Sequence, residues 1–267
     1  MGHGHSVKVR IVKDAQALAH DLAETIFDEI RHAERDGRPC TLIVPVGPVD
    51  QFPILADLIN QKKVPCKNTV FINMDEYLTD EGEWVPPTHP LSFRAFMEKQ
   101  FYRWIHKKLA PPLENRVFPH PHDPDGIERI VNGRGGVDAC FGGIGINGHL
   151  AFNEPPGPGE TTTVEHFATR PTRVLNLSRE TRTINSVTVG GEISIIPQRA
   201  ITVGMKEILA SRRLRFYCNR PWQSAVVRRA LHGPITAACP ASLLRTHSDV
   251  TVTITEQVAA VPDIRLR

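Results

Sequence analysis

Several things that would point to a particular class of protein are missing from this chain. No apolar run approaches the length of a membrane span, and no apolar signal core follows the N-terminus. Lysine and arginine form no basic runs, and the formal net charge is only +3, so neither a nucleic-acid partner nor an anionic membrane surface is indicated. Cysteine is scarce and unpaired in pattern: five residues, an odd number, with no C-x-x-C. That excludes a disulfide framework and suggests isolated thiols in a reducing compartment, with a cytoplasmic location as the expectation. There is no internal repeat and no low-complexity segment. His-x-His occurs at His3 and His5 and again at His120 and His122, but a metal site would need further ligands supplied by the fold. Nothing calls for a nucleotide, a flavin or a metal.

What is present is a succession of short apolar runs and amphipathic stretches over 267 residues, 40% of them hydrophobic, enough for one large α/β domain spanning 1–267. Val7 to Ile11 alternates like a strand, and Asp14 can cap a helix whose apolar residues Leu18, Leu22, Ile26 and Ile30 recur every four. Thr41 to Val46 ends at Gly47 and precedes a helix with Phe52, Leu55, Leu58 and Ile59 on its inner side. Val70-Phe71-Ile72 is the next strand. A helix is expected from about Ser92 to Leu109, with mostly loop from 110 to 136. Four further strands are expected around Val174, Ile201, Phe216 and Val252, with a helix from Gln223 to Leu231 closed by Gly233. The alternation predicts a single-domain, doubly wound, mostly parallel sheet of Rossmann-like type.

Chemistry gathers at two strand ends. After the apolar Val137 to Phe141 comes Gly142-Gly143-Ile144-Gly145-Ile146-Asn147-Gly148-His149, followed by Leu150-Ala151-Phe152-Asn153-Glu154-Pro155. Gly143, Gly145 and Gly148 would let backbone N–H groups approach a ligand, at the edge where open α/β sheets bind them. His149 brings an imidazole and Glu154 a carboxylate that could orient it. After Val70-Phe71-Ile72 the chain reads Asn73-Met74-Asp75-Glu76-Tyr77, two adjacent acids just beyond a strand.

Taken together, Phe71 to Tyr77, His89-Pro90-Leu91-Ser92-Phe93 and Gly142 to Pro155 resemble the glucosamine-6-phosphate deaminase family, whose fold is shared with 6-phosphogluconolactonases. Ala200 to Gly204 and Cys239 to Leu244 match later segments, so the resemblance covers most of the chain. It implies a sugar or sugar-phosphate substrate and, as in many members, an oligomer. It also implies roles: His149, held by Glu154, moves a proton between ring and anomeric oxygens, and Asp75 transfers a proton between C2 and C1. The neighbouring Glu76 is expected to line the site and help raise the pKa of Asp75.

Departures from the family pattern concern phosphate and charge. The loop that would cradle a sugar phosphate reads Gly47-Pro48-Val49-Asp50, in which Pro48 lacks an N–H, Val49 lacks a hydroxyl and Asp50 brings a negative charge. The family's phosphate-binding lysine aligns with Gln223 and its arginine with Val187; Arg220 is a neighbouring cation. Asn147 stands where the family has an acid, so it can keep the hydrogen bonds but not the charge. Two other readings stay open at this point: a sugar lactonase that uses His149 to activate water, and a non-catalytic sugar-binding descendant.

Overall fold

A computed structural model describes residues 6–48 and 50–262. His3, His5 and Val49 therefore lie outside the described residues. The chain opens with β1 (Lys8–Val12), α1 (Ala15–Arg35), β2 (Cys40–Val44), α2 (Gln51–Lys62) and β3 (Thr69–Asn73). It continues through β4 (Asp75–Leu78), α3 (Phe93–Gln100), β5 (Arg116–Val117), α4 (Gly126–Gly133) and β6 (Ala139–Gly142). Next come α5 (Val164–Ala168), β7 (Arg173–Asn176), α6 (Arg179–Ser186), β8 (Arg199–Thr202) and α7 (Met205–Leu209). Last are β9 (Leu214–Cys218), α8 (Gln223–His232), β10 (Val250–Thr255) and α9 (Glu256–Ala259).

Seven strands form one sheet in the order β1-β10-β9-β6-β2-β3-β5, every pair parallel. Alternation along β2 shows how its two faces are covered. Leu42 and Val44 join a core with Leu22 and Ile26 of α1, Phe52 and Leu55 of α2 and Phe101, while Ile43 joins the opposite core with Ile127 of α4, Ile208 of α7 and Val227 of α8. Helices thus cover both faces, as burial of an all-parallel sheet requires. The four-residue spacing in α1 buries Leu18, Leu22, Ile26 and Ile30 together, and the Asp14 carboxylate caps the helix by accepting from the Ala17 N–H at 2.9 Å.

Three expectations are corrected. Strands β7 and β8 do not join the parallel sheet; with β4 they form a separate antiparallel sheet in the order β4-β8-β7. Apolar content marked these segments as strands, but strand partnership depends on where the chain turns, which periodicity does not encode. The helix expected to reach Leu109 stops at Gln100 and gives way to a short 3-10 turn, leaving Trp104 exposed, and the supposed loop from 110 to 136 contains β5 and α4. Among the described residues no helix is long and apolar enough to cross a membrane.

Connections leave β2 and β6 toward opposite ends of the sheet, which makes their carboxyl ends the point where the winding reverses. Both glycine-containing loops begin there, and a Cβ added to Gly143 would lie 3.9 Å from the Gly47 carbonyl oxygen.

Candidate active site

The loop after β6 folds into a tight turn on its own histidine. Gly145 N–H donates to the His149 carbonyl at 3.0 Å and Gly148 N–H to the Gly145 carbonyl at 2.9 Å. The imidazole then lies flat against Gly145, where any Cβ would collide with Nε2. Gly148 has φ +94° and a Cβ there would meet Cys239 Sγ at 2.7 Å, so both positions require glycine.

His149 and Glu154 are buried and linked through Asn147. Asn147 Nδ2 donates to Glu154 Oε2 at 2.6 Å and to Ser178 Oγ at 3.2 Å, so its Oδ1 faces the histidine and accepts from His149 Nδ1 at 2.9 Å. That arrangement places the ring proton on Nδ1 and leaves Nε2 as the working nitrogen. Thr181 Oγ1 adds a contact to Nδ1 at 3.2 Å, whereas Glu154 Oε2 is 3.6 Å from it. At the start of α6 the Ser178 N–H donates to Glu154 Oε1 at 3.2 Å. Burial alone would raise the Glu154 carboxyl, but the His149 contact and charge, the Asn147 amide and the Thr181 hydroxyl outweigh it and hold it down at about 2.

Asp75 opens β4, two residues past the end of β3, and so sits where the chain leaves the parallel sheet for the antiparallel one. Ala151 takes the left-handed φ of +53°, turning the Phe152 N–H toward Asp75 Oδ1 at 3.2 Å and Thr202 Oγ1 at 2.9 Å. Thr202 in turn donates its hydroxyl to Asp75. Burial pushes the Asp75 carboxyl up to about 7, against the lowering effect of the Thr202 and Phe152 hydrogen bonds. Glu76 is only the smallest contributor, so burial, rather than the adjacent acid expected to help, is the main cause.

Glu76 does not line the site. Fully buried, it points the other way and accepts from the N–H groups of Tyr77 (2.9 Å), Phe93 (3.0 Å) and Arg94 (2.9 Å) and from Ser92 Oγ (3.2 Å). It fastens the start of α3 to β4, which explains why the segments Phe71 to Tyr77 and His89 to Phe93 go together. Strand alternation, applied to Asp75 and Glu76, was the signal that opposed their directions.

Gln223 is also buried, and it serves the glycine loop as a brace. Its Nε2 donates to the Ile144 carbonyl at 2.8 Å and its Oε1 accepts from the Arg220 N–H at 2.8 Å. A substrate-binding role for Gln223 is thereby replaced by a supporting one. Arg220 is exposed in the same turn, Val187 is 69% exposed, and Asp50 is exposed at the head of α2 without a side-chain cap hydrogen bond. The sequence reading missed Ser178, Thr181, Thr202 and Arg229, whose Nη2 holds the Asn147 carbonyl at 2.7 Å. Only the Ser-x-x-Thr spacing at a helix start could have flagged the first two. Around His120 and His122, the His122 Nε2 meets Glu83 Oε1 at 2.6 Å, and among the described residues no cluster of three or more His, Cys, Asp or Glu side chains assembles.

Comparison with known proteins gives this geometry a lineage. No family model matches the chain. A glucosamine-6-phosphate deaminase of Phocaeicola vulgatus is 30% identical over 246 residues, covering 90% of this chain and 88% of that protein. The chain belongs to the glucosamine-6-phosphate deaminase family. Among solved structures, a monomeric glucosamine-6-phosphate deaminase superposes with a TM-score of 0.80 at 26% identity, covering 95% of this chain and 99% of that one. The 6-phosphogluconolactonase of Trypanosoma cruzi shares the fold, with a TM-score of 0.66 at 16% identity over 97% of this chain and 98% of that one.

Proposed function

We propose that this enzyme converts an amino sugar to a ketose with loss of ammonia, by proton transfer at C1 and C2, and that it grips the far end of the sugar differently from its relatives. The observation that carries the reading is the convergence of a carboxylate of near-neutral pKa, Asp75, with a histidine whose Nε2 is left for chemistry, joined by the short segment from His149 to Phe152. His149 Nε2 takes the anomeric hydroxyl proton and returns it to the ring oxygen, opening the pyranose. Asp75 removes the C2 proton as O1 takes a proton from water, giving an enolamine, and then delivers the C2 proton to C1. The resulting C2 iminium adds water and releases ammonia, leaving the ketone. Five free, buried cysteines accord with a reducing, cytoplasmic setting.

Support for an altered substrate end comes from the Gly47 loop. The buried amide of Gln223 is committed to Ile144 and Arg220, so it offers nothing to a phosphate, and Asp50 places a carboxylate at the start of α2. The test pairs free amino sugars, aldoses and aldonolactones with their 6-phosphates and follows ammonia, ketose and acid release. Ammonia and ketose from an amino sugar, both abolished by Asp75→Asn, are expected. Acid release from a lactone that survives Asp75→Asn and is lost with His149→Ala would establish the lactonase reading instead. Binding of a sugar without turnover would establish a non-catalytic role.

A further inference from the structure

The edge of the parallel sheet remote from the catalytic loops carries an unusual concentration of guanidinium groups. A cavity of about 370 Å³ opens there, lined by Arg38, Pro39, Arg134, Asp138, Arg212 and Arg213. These residues lead into the starts of β2, β6 and β9, which are neighbours in the sheet, and follow the end of α4. Four guanidiniums share two carboxylates. Asp138, buried, spends one oxygen on both Arg38 (2.8 Å) and Arg212 (2.9 Å) and the other on the Thr41 N–H at 2.8 Å. Glu29 is used up by Arg213, which engages both of its oxygens at 2.6 and 2.5 Å.

Arg134 meets no carboxylate: it donates to the carbonyls of Asn68 (2.5 Å) and Cys40 (3.4 Å) and to the Thr41 hydroxyl (3.5 Å), beside the partial negative charge at the end of α4. In direct ion pairs, four guanidiniums thus meet two carboxylates around one concave surface; Asp36 and Asp249 act on Arg38 and Arg213 only at longer range, being paired with Arg35 and Arg215. Bringing Arg134 to the same hollow as Arg38, Arg212 and Arg213 adds like-charge repulsion that an anion bound there would relieve. Guanidinium forks suit the oxygens of a phosphoryl group, which they bind in pairs. The hollow is also within the range of small-ligand sites, roughly 300 to 1,000 Å³.

We infer that the amino edge of the parallel sheet is a binding site for a small phosphorylated anion, separate from the catalytic site. Strands of four or five residues set the two apart by roughly 15 Å at about 3.3 Å per residue. All three of these strands run from the arginine cluster to a catalytic-side loop: β2 to Gly47, β6 to Gly143–His149 and β9 to Arg220–Gln223.

Inorganic pyrophosphate is the probe. Calorimetric titration of the full-length protein in about 0.15 M NaCl, where diffuse surface attraction is screened within about 8 Å, should show saturable binding with a Kd below about 1 mM. Arg38→Gln and Arg134→Gln each leave Asp138 paired with Arg212, so the fold should hold, checked by melting temperature without ligand. Each should weaken binding about tenfold, with Arg134→Lys intermediate because it keeps charge but loses the fork. Turnover in the absence of pyrophosphate should be unchanged. No saturable binding up to about 10 mM, or an unchanged Kd in both glutamine variants, overturns the site.

Discussion

Asp75 and Thr202 face each other across the antiparallel pairing of β4 with β8, and the Thr202 hydroxyl donates to Asp75 Oδ1. This bond favours the ionised carboxylate, while burial opposes it, and the balance lies at about 7. A base must be ionised to accept the C2 proton, so kcat/KM should rise with pH through about 7. Thr202→Val removes the hydroxyl and leaves burial unopposed by it. The rising limb should move to higher pH by about one to two units, since a bond to a charged group is worth about 1.5–3 kcal/mol and one unit is about 1.4 kcal/mol. Thr202→Ser should leave it in place.

Asp75→Asn should lower kcat about 10² to 10⁴-fold while sugar binding persists. It should also alter stability with a definite sign. The native carboxyl titrates at about 7 against an ordinary value of 3.8, so the folded state holds the proton more tightly, and stability falls as pH rises through that window. The penalty approaches about 4 kcal/mol as an upper bound once Asp75 is fully ionised. Melting curves at pH 5 and pH 8 should show the asparagine variant gaining on the wild type at pH 8; an equal loss at both would contradict this.

Glu154 behaves oppositely. Its folded pKa of about 2 lies below the ordinary 4.5, so its contribution is present above 4.5 and disappears as pH falls through about 2. Glu154→Gln should therefore lower the melting temperature at pH 6 and make no difference near pH 2, if the wild type is still folded there.

Asn147→Asp puts a carboxylate where an amide now donates to Glu154 Oε2 at 2.6 Å. Two carboxylates at that separation cannot both ionise without strain, so the variant should take up a proton. Its melting temperature should drop at pH 8 and recover toward pH 5. A variant as stable as the wild type at pH 8 would mean that His149 supplies the compensating charge.

Glu76→Gln tests the supporting role directly. Arg94 Nε, at 3.3 Å, would lose its carboxylate, and one or more of the N–H groups now converging on Glu76 would lose its acceptor. A loss of about 3 kcal/mol is expected by chemical denaturation, with KM nearly unchanged under folding conditions. A large rise in KM with little loss of stability would return Glu76 to the substrate pocket.

The sequence disclosed the parts of this protein better than their connections. Parallel strands with apolar cores, the helix at Leu18 to Ile30 and the glycine-histidine loop are local patterns, and each was legible. The partition into two sheets was not, because Val174 and Ile201 look as apolar as Phe216, and only the antiparallel pairing of β7 with β8 and of β8 with β4 separates them. At the site, Asp75, His149 and Glu154 stand out in the sequence as titratable groups just past two strands, whereas Asn147 is singled out only through the family resemblance. Thr181, Thr202 and Arg229 are common residues on common elements; what distinguishes them is a partner 32, 127 or 82 positions away. Glu76 and Gln223 were misassigned for the same reason, their polar heads being turned toward backbone that only folding brings close.

Asp75 belongs to the antiparallel sheet and His149 to the loop of the parallel one. The two halves of the chemistry are thus mounted on different frames, riveted at Asp75 by the Phe152 N–H and the Thr202 hydroxyl. A sugar spanning both would act as a cross-brace, and any slippage of one frame against the other would register first as a lengthened gap between base and imidazole. Ser178 and Thr181, reaching Glu154 and His149 from the start of α6, add a second joint, so the alignment of the two frames is gauged on both sides of the site.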